Sequence, residues 1–258
     1  MIKAIHQSMI SMWSHCGEAF LRRYLQGEIM PPGIAARRGS ATHKGAEINN
    51  KQKRLTRTDL PVSDLKDATR DEFMKLIKTE GVFIPQEDIS RKDQILNEGL
   101  NEALSAISIY HSQIAPKIMP SSVEEQLSCA APGISLPLAG TLDLQDEDGY
   151  IQDLKVMKRK NQAWCDASIQ PSFYYLLKRG QQGNFPKGFK YQFIIPNKEM
   201  VAEELSTYRT MGDMKRLLML LDLFERDLKA GIFKPADRSD FLCSPLFCGY
   251  WKTCKWKN

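Results

Sequence analysis

The sequence predicts an α/β fold on two observations. Residues 1–115 of the 258 carry apolar side chains at helical spacing, and five short strand-like runs follow at 123–129, 138–144, 150–155, 189–196 and 201–208. Further helical periodicities interrupt those runs at 161–179 and close them at 210–229, an order compatible with a sheet covered by helices. The chain is long enough to bury a full core. We read it as one domain, 1–258, with a helical insert at 60–115 and a cysteine-rich tail at 241–258.

Each element has its own signal. Met9, Ile10, Met12, Trp13, Phe20, Leu21, Tyr24 and Leu25 recur every three or four residues and predict a helix over 1–26, ended by Pro31-Pro32-Gly33. A second helix is expected from Ala35, running into the basic stretch 51–57. Its small residues between Gly39 and Gly45 let another backbone approach closely. The insert predicts helices at 65–77 and 92–114 divided by a break at 81–85, and suggests no chemistry. Glu124 and Glu125 open the first strand, and a turn at Ala131-Pro132-Gly133 leads to the second. The last two strands are joined by an expected turn at Pro196-Asn197-Lys198, and the final helix stops at Gly231.

Hydrophobic residues make up 42% of the chain and charged residues 26%, with a formal net charge of +5. This is ordinary soluble composition, compatible with a polyanionic partner without demanding one. No apolar run reaches membrane-spanning length, and the N-terminal residues lack the apolar region of a signal peptide. The expectation is a cytoplasmic protein. Structural disulfides are rare there, so the six cysteines need metal ligation or burial as their explanation.

The stretch 138–155 concentrates the chemistry. Two apolar runs flank the turn Gln145-Asp146-Glu147-Asp148-Gly149, a hairpin signal. Asp143 lies in the first run, while Asp153 and Lys155, two apart in the second, share a strand face. Pairing about Gly149 brings Asp143 towards them. Carboxylates are hard oxygen ligands for Mg²⁺ or Mn²⁺, and such an ion polarises a phosphoryl oxygen and acidifies bound water. A lysine orients that water or offsets charge developing on phosphate. The plain alternative is an exposed hairpin with solvated charges. Gln170 and Tyr174, four apart, lie on one helix face, where they suit a phosphate, a base or ordinary amphipathic packing. His43, four residues after Gly39, reads as a ligand or as a structural histidine.

Cys243, Cys248 and Cys254 fall within twelve residues among aromatics, prolines and glycines. That pattern suits a thiolate-bound centre one ligand short, with Cys16 the natural fourth. Iron–sulfur, Zn²⁺ and unligated buried thiols all remain open on ligand type. Cys129 and Cys165 are most simply core thiols.

Together these residues resemble the RecB-like branch of the PD-(D/E)xK nucleases, over nearly the whole chain outside the insert. Gly39 and His43 are similar to the family's helical Gly-x-x-x-His, and Glu124, or Glu125 failing it, to its early strand glutamate. Gly140 and Asp143 are similar to its Gly-x-x-Asp, Asp153 and Lys155 to its (Asp/Glu)-x-Lys, and Gln170 and Tyr174 to its Gln-x-x-x-Tyr. One cysteine near the N-terminus and three near the C-terminus resemble the iron–sulfur subset. That subset includes AddB, CRISPR adaptation nucleases and phage exonucleases. The four-residue gap between Cys243 and Cys248 looks more like the phage type than the AddB type.

The resemblance implies a restriction-endonuclease-like core: a central mixed β-sheet flanked by helices, with an N-terminal helical region. It implies a metal-dependent DNA exonuclease hydrolysing phosphodiester bonds in recombination, repair or phage DNA processing. His43, Asp143, Asp153 and the backbone carbonyl of Leu154 would hold Mg²⁺ or Mn²⁺, and Glu124 would complete the acidic site or bind a second ion. Lys155 would orient the attacking water, and Gln170 and Tyr174 would position the strand or the phosphate. Cys16, Cys243, Cys248 and Cys254 would hold a [4Fe–4S] cluster, or a structural Zn²⁺, stapling the tail to the N-terminal helix. The implied partner is DNA, as ends or single strands, with Arg22, Arg23, Arg37, Arg38, Lys158, Arg159 and Lys160 as candidate grips. No Gly-x-x-x-x-Gly-Lys-(Ser/Thr) signature is present, so unwinding would fall to a helicase or recombination partner. Two other readings stand beside this one: a CRISPR adaptation-type nuclease, and a non-catalytic DNA-binding or scaffold subunit.

Overall fold

Cys16 breaks what the periodicity predicts as one N-terminal helix. In the computed structural model, which describes residues 2–158, 161–196 and 199–257, α1 (Gln7–His15) ends at an extended Cys16. The thiol of Cys16 accepts the Ala19 N–H to start α2 (Gly17–Phe20). A wide helical turn, Leu21–Leu25, follows. Gly17 is needed because a Cβ there would lie 2.8 Å from the Lys234 backbone nitrogen, where the C-terminal segment crosses α2. The candidate DNA-gripping residues Arg159 and Lys160, and Asn197 and Lys198 of the expected turn, lie outside the described residues.

Next come α3 (Ile34–Thr56), α4 (Val62–Glu80) and α5 (Lys92–Ile109). The insert is therefore a pair of helices laid against α3. Gly45 permits the close approach, since a Cβ there would fall 2.3 Å from Thr69 Oγ1 on α4. Arg37 donates to Glu80 at 2.7 Å and to the Gly81 carbonyl at 2.8 Å, and Arg38 pairs with Glu102. Both arginines are buried. They bolt α3 to the insert and are not surface grips for DNA, which corrects the expectation drawn from their charge.

The strands β1 (Pro120–Cys129), β2 (Leu138–Asp146), β3 (Tyr150–Val156), β4 (Gly188–Ile195) and β5 (Val201–Thr207) form one mixed sheet in that order. Neighbours are antiparallel except β3 and β4, which are parallel. A parallel pair needs a crossover, here supplied by α6 (Gln162–Ala167) and α7 (Ile169–Gln182). The single helix predicted over 161–179 is thus two, parted at an extended Ser168 whose hydroxyl caps the Gln170 N–H. α8 (Met211–Ala230) opens with a Thr210–Asp213 capping box and stops at a left-handed Gly231, the predicted stop.

Helices cover both sheet faces. Phe173 and Leu177 of α7, Ile10 and Trp13 of α1, and Leu221 and Phe224 of α8 pack on one face with Leu127, Leu142, Ile151, Tyr191 and Phe193. Ala46 of α3 and Ile107 of α5 pack on the other with Val123, Leu144, Leu154 and Ile194. Residues two apart on a strand normally share a face, yet Leu142 and Leu144 belong to opposite layers. The alternation breaks at Asp143. No helix among the described residues is long and apolar enough to cross a membrane.

The tail folds back on the N-terminal segment. Arg22 donates to Thr253 at 2.7 Å and lies 4.8 Å above the Tyr250 ring, while Trp256 donates to Glu18 at 3.3 Å. Arg22 is thereby engaged within the fold.

Candidate active site

The β2–β3 ladder pairs Leu144 with Gln152 and Gln145 with Ile151, and goes no further. Extending that register one step sets Asp143 opposite Asp153, so the strands part where the two carboxylates stand. Across the other edge of β2, Glu124 falls opposite Asp143, between the paired Val123–Leu144 and Glu125–Leu142. Its backbone is left-handed, φ 53°, a strained state for a non-glycine residue and a common mark of functional sites.

From α3, His43 reaches this point. Its Nδ1 lies 3.4 Å from Asp143 Oδ2, and its Nε2 meets the Leu154 carbonyl. Asp153 is buried. Its Oδ1 accepts from Lys155 Nζ at 3.0 Å and from Gln170 Nε2 at 2.8 Å. Its Oδ2 is buried without a hydrogen bond, although the Lys155 ammonium stands 2.8 Å away as a charge partner. His43, Asp143, Asp153, Leu154 and Lys155 therefore converge from α3, β2 and β3.

The electrostatics follow from that crowding. Burial first, then the Asp153 charge, push Asp143 up to about 6, against the pull of His43 and Lys155. Burial also raises Glu124, with Glu47 adding to it. Burial alone would lower the Lys155 ammonium, but Asp153 and then Asp143 hold it above its ordinary value.

The remaining expected residues divide. Glu124 lines an open cleft of about 560 Å³ together with His43, Asp143 and Lys155. Glu125 turns away, pairing with Lys178 at 3.0 Å and Gln182 at 3.1 Å on α7. Gln170 spends its amide on Asp153, and Tyr174 donates to the Thr141 carbonyl at 2.6 Å. Both brace the strands that carry the acids. Gly140 lets α7 come that close, since a Cβ there would stand 3.1 Å from Leu177. Gly39 lines the same cleft with open space where a Cβ would be.

Glu47, and Glu72 and Lys75 of the insert, line the cleft without having been singled out in the sequence. Glu47, one helical turn beyond His43, is paired with Lys44 at 2.9 Å and Lys51 at 2.5 Å. Its spacing of four from His43 was the available signal.

At the other end of the chain, Cys16, Cys243, Cys248 and Cys254 are free thiols lining one cavity of about 700 Å³. Burial, and then the neighbouring thiols of this set, raise Cys248. Cys165 is buried in the core, where burial and then Asp166 push it up to about 11. Among the described residues, no three His, Cys, Asp or Glu side chains stand arranged to hold a metal ion as they lie.

The fold has a solved counterpart. A crystal structure from Eubacterium rectale, bearing the name "Putative exonuclease", superposes with a TM-score of 0.61 at 13% identity, covering 99% of this chain and 90% of that one. The likeness establishes the fold: α/β, a mixed five-stranded sheet flanked by helices, consistent with a restriction-endonuclease-like core. A second structure, SSO0001, has 15% identity over 83% of this chain and 96% of that one, with a TM-score of 0.38, too low to carry an argument. No protein-family model and no curated protein matches the chain.

Proposed function

We propose that this chain is a metal-dependent DNA exonuclease of the PD-(D/E)xK type, with its active site at the splayed end of β2 and β3. The observation that carries this reading is that His43, Glu124, Asp143 and Lys155 line one cleft, with Lys155 paired to the buried Asp153. The name of the Eubacterium rectale structure agrees with it.

By donor chemistry, though not yet by arrangement, the residues suit a divalent ion. Asp153 offers a buried carboxylate oxygen without a hydrogen bond, and Asp143 stands beside it at the cost of a raised pKa. Carboxylates, one imidazole and a backbone carbonyl form a donor set suited to Mg²⁺ or Mn²⁺. His43, Asp143, Asp153 and the Leu154 carbonyl would hold the ion, which when bound supplies Lewis acidity towards a phosphoryl oxygen and a more acidic water. Lys155, held protonated by its two acidic neighbours, donates to the attacking water or to the charged phosphate. Gln170 fixes the Asp153 carboxylate, and Tyr174 fixes β2 beside Asp143. Glu124 adds a further acid to the cleft wall.

For the tail, the proposal is a structural centre held by Cys16, Cys243, Cys248 and Cys254. Four thiols on one cavity wall suit a [4Fe–4S] cluster or Zn²⁺. The pathway we assign is DNA processing in recombination, repair or phage replication.

The test is release of label from 5′- and 3′-labelled single- and double-stranded DNA with Mg²⁺, Mn²⁺, Ca²⁺ or EDTA. Stepwise, Mg²⁺- or Mn²⁺-dependent release that is lost in Asp143→Ala and Lys155→Ala is expected. Degradation unchanged in both variants removes those residues from the mechanism.

A further inference from the structure

What stands beside Asp153 and Lys155 on their own sheet face limits how a strand can lie there. In β4, Tyr191 pairs with Asp153 and Phe193 with Lys155. Laterally paired residues project to the same face. The indole of Trp164 meets those two rings at an angle, with centroids 5.3 Å from Tyr191 and 6.5 Å from Phe193 and interplanar angles of 52° and 65°, and remains 43% exposed. A partly exposed indole therefore stands against the two β4 residues that pair with Asp153 and Lys155.

Trp164 is also held in place. Arg209 donates to the Cys165 carbonyl at 2.9 Å and the Ser168 carbonyl at 2.8 Å, closing the end of α6, and Asn161 caps its start through the Ala163 N–H at 2.8 Å. Cys165, next in sequence, is fully buried. The other indole donors that hydrogen-bond, Trp13 and Trp256, do so to Asp227 and Glu18. Among the described residues the Trp164 N–H has no such partner. The segment leading into α6 opens with an exposed Lys158.

We propose that Trp164 is the stacking platform for a nucleobase next to the scissile phosphate, and that the DNA at the cut site is single-stranded. The inference rests on the nuclease reading for its substrate. Exposed rings beside basic residues bind strands by stacking on unpaired bases, whichever base is present. A base paired inside a duplex is stacked on both faces and offers neither to the indole. An aromatic platform at this position therefore selects an unpaired strand and sets its position against Lys155.

The test measures binding of labelled oligothymidylate, and of an abasic strand of equal length, to the full chain in Ca²⁺. Trp164→Ala is expected to weaken oligothymidylate binding by about tenfold. Trp164→Phe, which keeps a ring, should lose far less, and abasic binding should be the same in all three proteins. Equal weakening of both strands would mark a purely structural tryptophan and overturn the proposal. So would unchanged oligothymidylate binding in Trp164→Ala, or a wild type that binds neither strand. Label release in Mn²⁺ is read separately. A chain that stacks through Trp164 but cuts nothing loses the nuclease reading and keeps Trp164 only as a platform for an unpaired strand, and a chain that cuts with Trp164-independent binding loses the platform and keeps the nuclease.

Discussion

Glu124 stands opposite Asp143 where β1 and β2 exchange faces. Val123 and Leu144 pack with α3 and α5, whereas Leu127 and Leu142 pack in the layer of α7 and α8. The exchange is accompanied by the left-handed φ of 53° at Glu124. Left-handed backbone costs a residue with a Cβ about 1–2 kcal/mol.

Glycine relieves that strain. Glu124→Gly should therefore raise stability by about 1 kcal/mol in urea unfolding while lowering Mn²⁺-dependent cleavage. Glu124→Ala, which removes the acid but keeps the strain, should gain less. Stability that falls in Glu124→Gly would remove strain from the account.

The metal-free chain should lose stability as pH rises through the Asp143 titration. Its folded value, about 6, lies above the ordinary carboxylate value. The folded state thus holds the proton more tightly, and this contribution is complete below about pH 4 and lost as pH passes about 6. In EDTA, Asp143→Asn should be more stable than wild type at pH 7 and nearly equal to it near pH 4. Urea midpoints across that range measure the difference, and parallel profiles for the two proteins would contradict it.

Arg37→Ala and Arg38→Ala should each destabilise the fold by about 1–3 kcal/mol, because each removes a buried side chain together with its packing and its bond to the insert. DNA affinity of the folded variants should be unchanged. Lys158, exposed ahead of α6, should behave oppositely, with Lys158→Ala reducing affinity and flattening its dependence on salt. Binding curves at two salt concentrations separate the two behaviours.

Protein purified without oxygen should be brown and absorb in the visible, and Cys243→Ser or Cys248→Ser should bleach it. Colourless protein with stoichiometric zinc would assign the same four thiols to Zn²⁺ instead.

How far the molecule is legible in its sequence varies by element. The β2–β3 hairpin is readable because Gly149, at φ 87°, is the residue such a turn requires. Asp153 and Lys155 share a face through strand periodicity alone. The helix breaks at Cys16 and Ser168 are not readable, because apolar spacing runs through both and a thiol is an unusual cap. Spacing places Gln170 and Tyr174 on one face but does not say that their partners are Asp153 and a β2 carbonyl. Charge alone does not distinguish Arg37 and Arg38, buried against a helix pair some 40 to 60 residues away, from surface residues. The face exchange at Glu124 lies deepest, since nothing about a glutamate signals left-handed backbone.

The central claim is that His43, Asp143, Asp153 and the Leu154 carbonyl share one divalent ion. Titration of Mn²⁺ into the metal-free chain, followed by loss of the free ion's EPR signal, tests it most directly. The account predicts uptake that is lost in the Asp143→Ala, Asp153→Ala double variant. Undiminished uptake by that variant would contradict it.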